Sequence, residues 1–475
     1  MQTTPLKKIK IGVFFGGQSR EREISFAGGR TVYDSLDKAI FEAIPIFIDS
    51  LGNFILLDWQ YLYRGSIRDF YSPDTIANAY NIPLYIESFA NLGIDKQNAI
   101  INKVGKQLVP SIFYQYFDFA FLALHGPYGE DGALQGLLEW YQIPYSGSGL
   151  VGASVGMDKI FQKQLMQQVG LHVPNGYILH YPQFEQEKNK EKLLEEIIAT
   201  VGLPFVVKSP HQGSSIGVSI VKTKNLDTFI HAVNRSFFIE TVTSTQWKQF
   251  KPDRKTTFLN NLIDLREGIG LPVIVQGVII NDPDTLITHL DNHFQKDETS
   301  LQLISTEAET SVIFEEFIHG REFSCIVVEE PPYEPVSLPP TEMLTGEMPF
   351  DYRAKYLPGM VRKQTPMSLP YEQINAIRKA CSHFFQIAGC HVYARIDGFI
   401  TPNYTIYLND PNTTAGMNPS SFLFHQAATI GLNPTQLLTF LIRASLATRI
   451  NASKVNPTKR NLLQHLDLLI DQTSG

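Results

Sequence analysis

The chain opens on an apolar run, Ile11 to Phe15, that stops at Gly16-Gly17 and gives way to a helically spaced pattern from Ala27 to Leu36. A short continuous apolar run closed by a turn signal predicts a buried strand, so residues 10–36 predict a strand–turn–helix unit. The pattern repeats with a strand from Asp118 to Leu124, a turn from His125 to Gly132, and a helix from Leu134 to Tyr141. Two such units are the grammar of a parallel α/β sheet. Between them, residues 51–117 are rich in aromatics and show no clear period.

Further along, Ser154 is expected to cap a helix running toward Val169, which Gly170 and Pro174 stop. Leu203 to Lys208 predicts a strand that closes on Gln212-Gly213-Ser214-Ser215-Ile216-Gly217. Strands are predicted at Val312 to Phe314, Ser324 to Val328, Val392 to Ile396 and Thr405 to Leu408. A long helix passes through Ile374, Ile377, Cys381 and Phe385, and Asn433-Pro434 is a cap followed by an N1 proline for a closing helix. Residues from about 235 to 310 are polar apart from Leu271 to Ile280 and are expected to form an insertion. The expected division is residues 1–155, residues 156–320 containing that insertion, and residues 321–475, in a mixed α/β fold.

With 475 residues, 43% of them hydrophobic, the chain can build several cores. A net charge of −7 without long runs of one sign favours neither nucleic acid nor an anionic membrane. Cys325, Cys381 and Cys390 are odd in number and widely spaced, which argues against a disulfide framework or zinc site and for a reducing, cytoplasmic setting. The apolar run behind Lys7, Lys8 and Lys10 is too short for a secretory signal, and no run reaches the about 18 apolar residues of a membrane span.

Candidate chemistry sits at the ends of the predicted strands. His125-Gly126-Pro127-Tyr128-Gly129-Glu130-Asp131-Gly132 follows a buried strand at the carboxyl end, where α/β sheets bind ligands; a glycine turn with helix-capping acids fits the same residues. Glu21, at the equivalent end of the first strand, suits a substrate ammonium, or an ordinary solvated helix start. Lys208 with Ser214, Ser215 and Gly217 supplies a cation, hydroxyls and backbone N–H groups for phosphate, without the spacing of a Walker A loop; a hairpin turn is the alternative. Asp397, Asp410 and Asn412 are hard oxygen donors of the kind magnesium takes, and Arg395 shares the sheet face of Asp397 by the two-residue period. Gly416 and Ser421 can offer donors to an oxyanion or carboxylate, or cap a helix. Lys355 and Tyr356, in the stretch 346–366, suit a lid or a plain surface loop.

Taken in order, Glu21, the His125 to Gly136 segment, Met157-Asp158-Lys159, Lys208 with Gly213-Ser214-Ser215, Glu315-Glu316-Phe317-Ile318, Lys355-Tyr356, Arg395-Ile396-Asp397 and Asn412 resemble the D-alanine–D-alanine ligases of the ATP-grasp superfamily. The resemblance spans nearly the whole chain except the stretches near 51–117 and 235–310. It implies a Rossmann-like amino-terminal domain followed by a two-part ATP-grasp fold, which makes D-alanyl-D-alanine from ATP and D-alanine through an acyl phosphate for peptidoglycan precursors. By the same resemblance, Lys159 and Lys208 contact ATP phosphates, Ser214, Ser215 and Lys355 belong to the ATP-binding set, Glu315, Glu316, Phe317 and Ile318 edge the adenine, and Glu322 takes the ribose. Asp397, Asp410 and Asn412 are expected to hold magnesium or manganese, two ions in all.

Glu21 is implied for the first substrate's ammonium and His125 for substrate binding, Arg395 and Gly416 for the oxyanion, Ser421 and Phe422 for the second substrate, and Tyr356 for a lid linked to Ser214 and Glu21. A homodimer is the family's usual state. The second family signature is only partly kept: Asp410 stands where glutamate is usual, Pro411 replaces a small apolar residue, Gly398 follows Asp397, and Ala415 replaces proline. The alternatives are a ligase for another amino-acid pair and a catalytically weakened ATP-binding homologue.

Overall fold

The computed structural model describes residues 6–71, 82, 84–296, 299–344, 362–452 and 457–474. Lys355 and Tyr356 lie outside them. The described residues divide into two compact units, one built from the segments 1–63, 104–173 and 319–475, the other from 64–103 and 174–318.

The first unit begins with β1 (Ile9–Gly16), which is buried almost throughout because both faces of its sheet are covered. It is followed by α1 (Arg22–Ser35), β2 (Phe41–Ile48) and β3 (Phe54–Leu57). Helix α2 (Ile94–Val104) belongs to the second unit up to residue 103; the first unit resumes with β4 (Gly105–Leu108), and β5 (Phe119–Leu122) completes a five-stranded sheet of order β4-β3-β2-β1-β5. β1 pairs in parallel with β2 and β5, as the strand–turn–helix pattern predicted. A core of Phe14, Phe113, Phe117, Leu134, Leu138 and Tyr145 lies beneath one face.

Helix α3 (Ala133–Trp140) is followed by α4 (Leu150–Met157) and α5 (Lys159–Gln168). The single helix expected from Ser154 is therefore two. Ser154 lies inside α4 and its hydroxyl donates to the Asp131 carbonyl at 2.8 Å. The cap is Asp158, whose carboxylate accepts from the N–H groups of Ile160 and Phe161 and starts α5 afresh.

The second unit carries β6 (Gly176–His180), α6 (Tyr181–Gln186), α7 (Lys190–Val201), β7 (Phe205–Lys208), β8 (Ser219–Val221) and α8 (Leu226–Phe237). The segment from about 235 to 310 then forms β9 (Ile239–Val242), α9 (Ser244–Gln249), α10 (Pro252–Ile263), β10 (Val273–Val275), β11 (Val278–Ile280), α11 (Pro283–Lys296) and β12 (Leu301–Ser305). Its strands make a sheet of their own, β11-β10-β12-β9, over a core that includes Trp247, Leu259, Leu286, Leu290 and Phe294. The apolar run Leu271 to Ile280 is its hairpin. β13 (Ser311–Glu316) returns to the other sheet, β6-β13-β7-β8, where Phe205, Val207, Phe229, Phe237 and Phe314 pack with α7 and α8.

The chain then re-enters the first unit with β14 (Arg321–Val328), β15 (Val336–Ser337), β16 (Thr341–Leu344), β17 (Arg362–Gln364), α12 (Tyr371–Ile387), β18 (Tyr393–Ile400) and β19 (Ile406–Asn412). The sheet order is β17-β16-β14-β18-β19, with β15 beside β14. Ile377, Cys381, Phe384 and Phe385, one stripe of α12, cover it. Helices α13 (Phe422–Thr429), α14 (Pro434–Ala452) and α15 (Pro457–Ser474) follow; Asn433 marks the start of α14 as expected, while α15 was not anticipated. All three cysteines are free and buried. Among the described residues, no helix is long and apolar enough to cross a membrane.

Candidate active site

In the first unit, the turn after β1 and the turn after β5 are tied together at the carboxyl ends of those strands. The Ser25 hydroxyl accepts from Gly16 N–H and donates to the Ala123 carbonyl, each at 2.8 Å, and the Ser19 hydroxyl donates to the His125 carbonyl at 2.5 Å. Gly126 has φ +73°, and a Cβ there would lie 2.8 Å from Ser19 Cβ and 3.3 Å from Glu21 Oε2. Glycine thus permits both the left-handed backbone and the close approach of the loop to Glu21.

Glu21 and His125 are both buried. His125 Nδ1 lies 3.7 Å from Glu130 Oε2, while its Nε2 is buried without a hydrogen-bond partner among the described residues. A buried orphan of this kind asks for a ligand group. Burial lowers the His125 pKa and Arg395 adds to that, but the Glu130 and Glu21 carboxylates outweigh both and leave it raised above 6.5. The stabilisation this represents is complete below 6.5 and is lost as pH rises through the higher folded-state pKa. His125→Gln should therefore cost more stability at about pH 6 than at about pH 9, read as the difference in Tm from the parent. An equal difference at both pH values would show that the imidazolium is not favoured.

A second cluster lies on one face of the β18–β19 pair. Arg395 faces Asn412 in register and Asp397 faces Asp410, with a bulge directly after Asp397. The Arg395 guanidinium grips Asp397 from Nε (3.1 Å to Oδ1) and Nη2 (2.9 Å to Oδ2). Lys159, at the start of α5, places Nζ 3.5 Å from Asp410 Oδ1. Two carboxylates facing each other across a strand pair repel unless cations attend them, and here each meets one. Asn412 Nδ2 donates to the Asp410 carbonyl at 2.7 Å. α5 is anchored to the same strand by Gln162, which donates to the Pro411 carbonyl at 3.2 Å.

The loop after β19 rests on two helices: a Cβ on Gly28 of α1 would meet Met417 Cβ at 3.3 Å, and one on Gly156 of α4 would meet Thr413 Cγ2 at 2.5 Å. Gly416 borders open space. Ser421 caps α13, accepting from Phe424 N–H, and the next residue, Phe422, lies under Lys363 with Nζ 4.3 Å from the ring centroid. Lys363 also donates to the Ser420 carbonyl. Burial, aided by the charge of Arg395, lowers its pKa. Sequence reasoning passed over Lys363, although it falls in the 346–366 stretch; a lysine on a three-residue strand carries no pattern of its own. Glu322 is half-buried on β14, opposite Phe399.

In the second unit, Lys208 Nζ and Glu315 Oε2 form an ion pair at 2.7 Å with side chains only 6% and 3% exposed. The loop joining β7 to β8 holds Ser214 and Ser215 at φ +52° and +60°. Two consecutive non-glycine residues in that region are strained, as backbones held to face a ligand often are. The loop is thus both the hairpin connection and the candidate phosphate cradle. Glu316 is engaged by Asn175, which donates from Nδ2 at 2.8 Å, and Phe317 and Ile318 follow the end of β13.

The mixed α/β architecture is that of an ATP-grasp protein, a fold it shares with solved ligase structures. The chain matches the family models described as D-ala D-ala ligase N-terminus, over residues 10–148, and D-ala D-ala ligase C-terminus, over residues 165–246 and 242–443. It belongs to the D-alanine–D-alanine ligase family. It is 26% identical over 441 residues to the D-alanine–D-alanine ligase of Pelotomaculum thermopropionicum, covering 92% of this chain and 97% of that one. Two solved structures share the fold. The VanG D-Ala:D-Ser ligase from Enterococcus faecalis aligns with TM-score 0.58 at 22% identity, over 92% of this chain and all of that one. The D-alanine–D-alanine ligase from Bacillus anthracis complexed with ATP aligns with TM-score 0.52 at 22% identity, over 94% of this chain and 100% of that one.

Proposed function

We propose that this protein is an ATP-dependent ligase that joins two D-alanines into D-alanyl-D-alanine, a peptidoglycan precursor. The observation that carries the reading is the polar face of β18–β19, where Arg395, Asp397, Asp410 and Asn412 converge with Lys159, close enough to Glu21 and His125 for Arg395 and Glu21 both to act on the His125 charge.

In the first step a carboxylate oxygen of the first D-alanine bonds to the γ-phosphorus of ATP as the bond to the β,γ-bridging oxygen breaks, giving an acyl phosphate and ADP. Such a transfer needs placement and charge compensation more than covalent help. Glu21 receives the substrate ammonium, and the orphaned His125 Nε2 supplies a donor beside it. Lys159 and Lys208 neutralise phosphate oxygens, and the Ser214-Ser215 backbone turns its N–H groups toward them. In the second step the amine of the second D-alanine attacks the acyl carbon, inorganic phosphate leaves and the amine sheds a proton. Arg395 and the Gly416 N–H steady the oxyanion, while Ser421 and the Phe422 N–H, at the amino end of α13, receive the second carboxylate.

Asp397, Asp410 and Asn412 offer oxygen donors only, two of them carboxylates on facing strand positions, which fits magnesium or manganese. When bound, such ions supply charge neutralisation on the transferring phosphoryl group. Glu315, Glu316, Phe317, Ile318 and Glu322 complete the reading as the adenine and ribose contacts. We extend it to a homodimer in the cytoplasm, which gel filtration and fractionation check.

The test is phosphate release from ATP and magnesium with D-alanine, L-alanine or no amino acid, with mass detection of product. Release that requires D-alanine and yields its dipeptide is the expected result. Release with a different amino-acid pair would discard the substrate assignment, and ATP binding without release under any condition would discard the ligase.

A further inference from the structure

Helix α8 has two working faces. Phe229, Ala232, Val233, Ser236 and Phe237 are buried, and the hydrophobic ones among them pack into the sheet core. The other stripe, Asp227, Ile230, His231, Asn234 and Arg235, follows the i, i+3, i+4, i+7, i+8 spacing of one helical face and forms a wall of a cleft of about 490 Å3. The opposite walls come from β9 and α10, including Glu240, Phe258 and Leu262. The cleft lies wholly within the second unit and shares no residue with the site described above.

Its charges do not balance. Arg235 is taken up by Glu267, with Nη2 2.7 Å from Oε2. Glu240 is half-buried, and its carboxylate has no hydrogen bond or ion pair among the described residues. Asp227 adds a second negative charge at the rim. Burial raises the Glu240 pKa, the cost of holding a carboxylate away from water without a cation. Ile230, Phe258 and Leu262 supply apolar surface beside it.

The helix also touches the Gly-rich loop. The Ser209 hydroxyl donates to the Ser236 carbonyl at 2.7 Å, and the Ser236 hydroxyl donates to the Gly217 carbonyl at 2.6 Å. One residue near the end of α8 therefore holds both ends of the loop that follows Lys208. A ligand that shifts the cleft-lining stripe of α8 acts on this residue one position away from Arg235.

We propose that the cleft is an effector site for a small organic ammonium ion with an apolar segment, seated on Glu240, whose binding is transmitted through Ser236 to the Gly-rich loop. The transmission rests on that loop binding ATP phosphates; the binding does not. The full chain is titrated calorimetrically with n-butylamine and 1,4-diaminobutane, against butanol, sodium butyrate and potassium chloride at matched ionic strength. ATP affinity is then measured with and without the bound amine.

Saturable binding of an amine but not of the three controls is expected, weakened at least tenfold by Glu240→Gln, with a change of about threefold or more in ATP affinity that Ser236→Ala abolishes. A tenfold weakening corresponds to about 1.4 kcal/mol. Asp227→Asn serves as the second variant if Glu240→Gln does not fold, with the same direction expected. Absence of saturable amine binding, binding unaffected by both carboxylate variants, or equal binding of potassium would overturn the site. Amine binding without any effect on ATP affinity would overturn its effector role. ATP binding that fails altogether would count against the proposed nucleotide reading, leaving the titration to decide the site.

Discussion

Lys208→Met should lower the stability of the protein by about 3–5 kcal/mol, the usual cost of leaving one member of a buried ion pair without the other. The Lys208 and Glu315 side chains are almost wholly buried, with 2.7 Å between their charged atoms. They sit on adjacent strands, with Glu315 opposite Val206 and Lys208 opposite Ile313. Removing the ammonium keeps the volume and takes from the buried carboxylate the cation that lies 2.7 Å away. The companion variant Lys208→Met/Glu315→Leu should recover most of that loss, because two desolvated charges are then replaced by apolar groups. Urea denaturation of the three proteins, with the slope compared as well as the midpoint, measures this.

The pair of variants also separates structure from nucleotide binding. Because Glu315 is itself proposed to edge the adenine, ATP affinity of the double variant is compared with that of Glu315→Leu alone. A lysine that only braces two strands leaves the two alike, whereas a lysine that also meets ATP phosphates makes the double variant bind ATP at least about tenfold more weakly than Glu315→Leu. Recovered stability with ATP affinity equal to that of Glu315→Leu would remove Lys208 from the proposed site.

Arg395→Lys should reduce kcat by about 100- to 1000-fold, the range associated with losing one oriented oxyanion donor. Lysine keeps the charge but not the planar fork that now grips both oxygens of Asp397. Because Arg395 is proposed to act when the amine attacks, the loss should fall on dipeptide formation, with ATP affinity within about threefold of the parent. A kcat within about tenfold of the parent would remove Arg395 from the oxyanion role. A loss confined to ATP affinity would move it to the nucleotide.

Much of this was open to reading from residues alone, for reasons that are local. The apolar run ending at Gly16-Gly17 has one buried solution, and Asn433-Pro434 has one capping solution. Arg395 and Asp397 share a sheet face because side chains alternate along any strand. Order along the chain carried the resemblance that the family match bears out.

Pairings across distance were not legible. That Lys208 meets Glu315, or that Asp410 stands opposite Asp397, depends on strand register, which is set by the packing of whole faces and leaves no mark on either residue. The break between α4 and α5 was hidden because helical spacing continues through it, and only the hydrogen bonds to Asp158 show where one helix ends. The stretch from about 235 to 310 looked polar because its core is assembled from well-separated residues such as Trp247, Leu259 and Phe294, which become neighbours only once its sheet has formed. The sequence by itself determined the class of fold and the family, because local apolar patterns and motif order are written along the chain. Tertiary structure alone decided which charges meet, which remain without a partner and which serine holds the loop, because those contacts join residues that the chain keeps far apart.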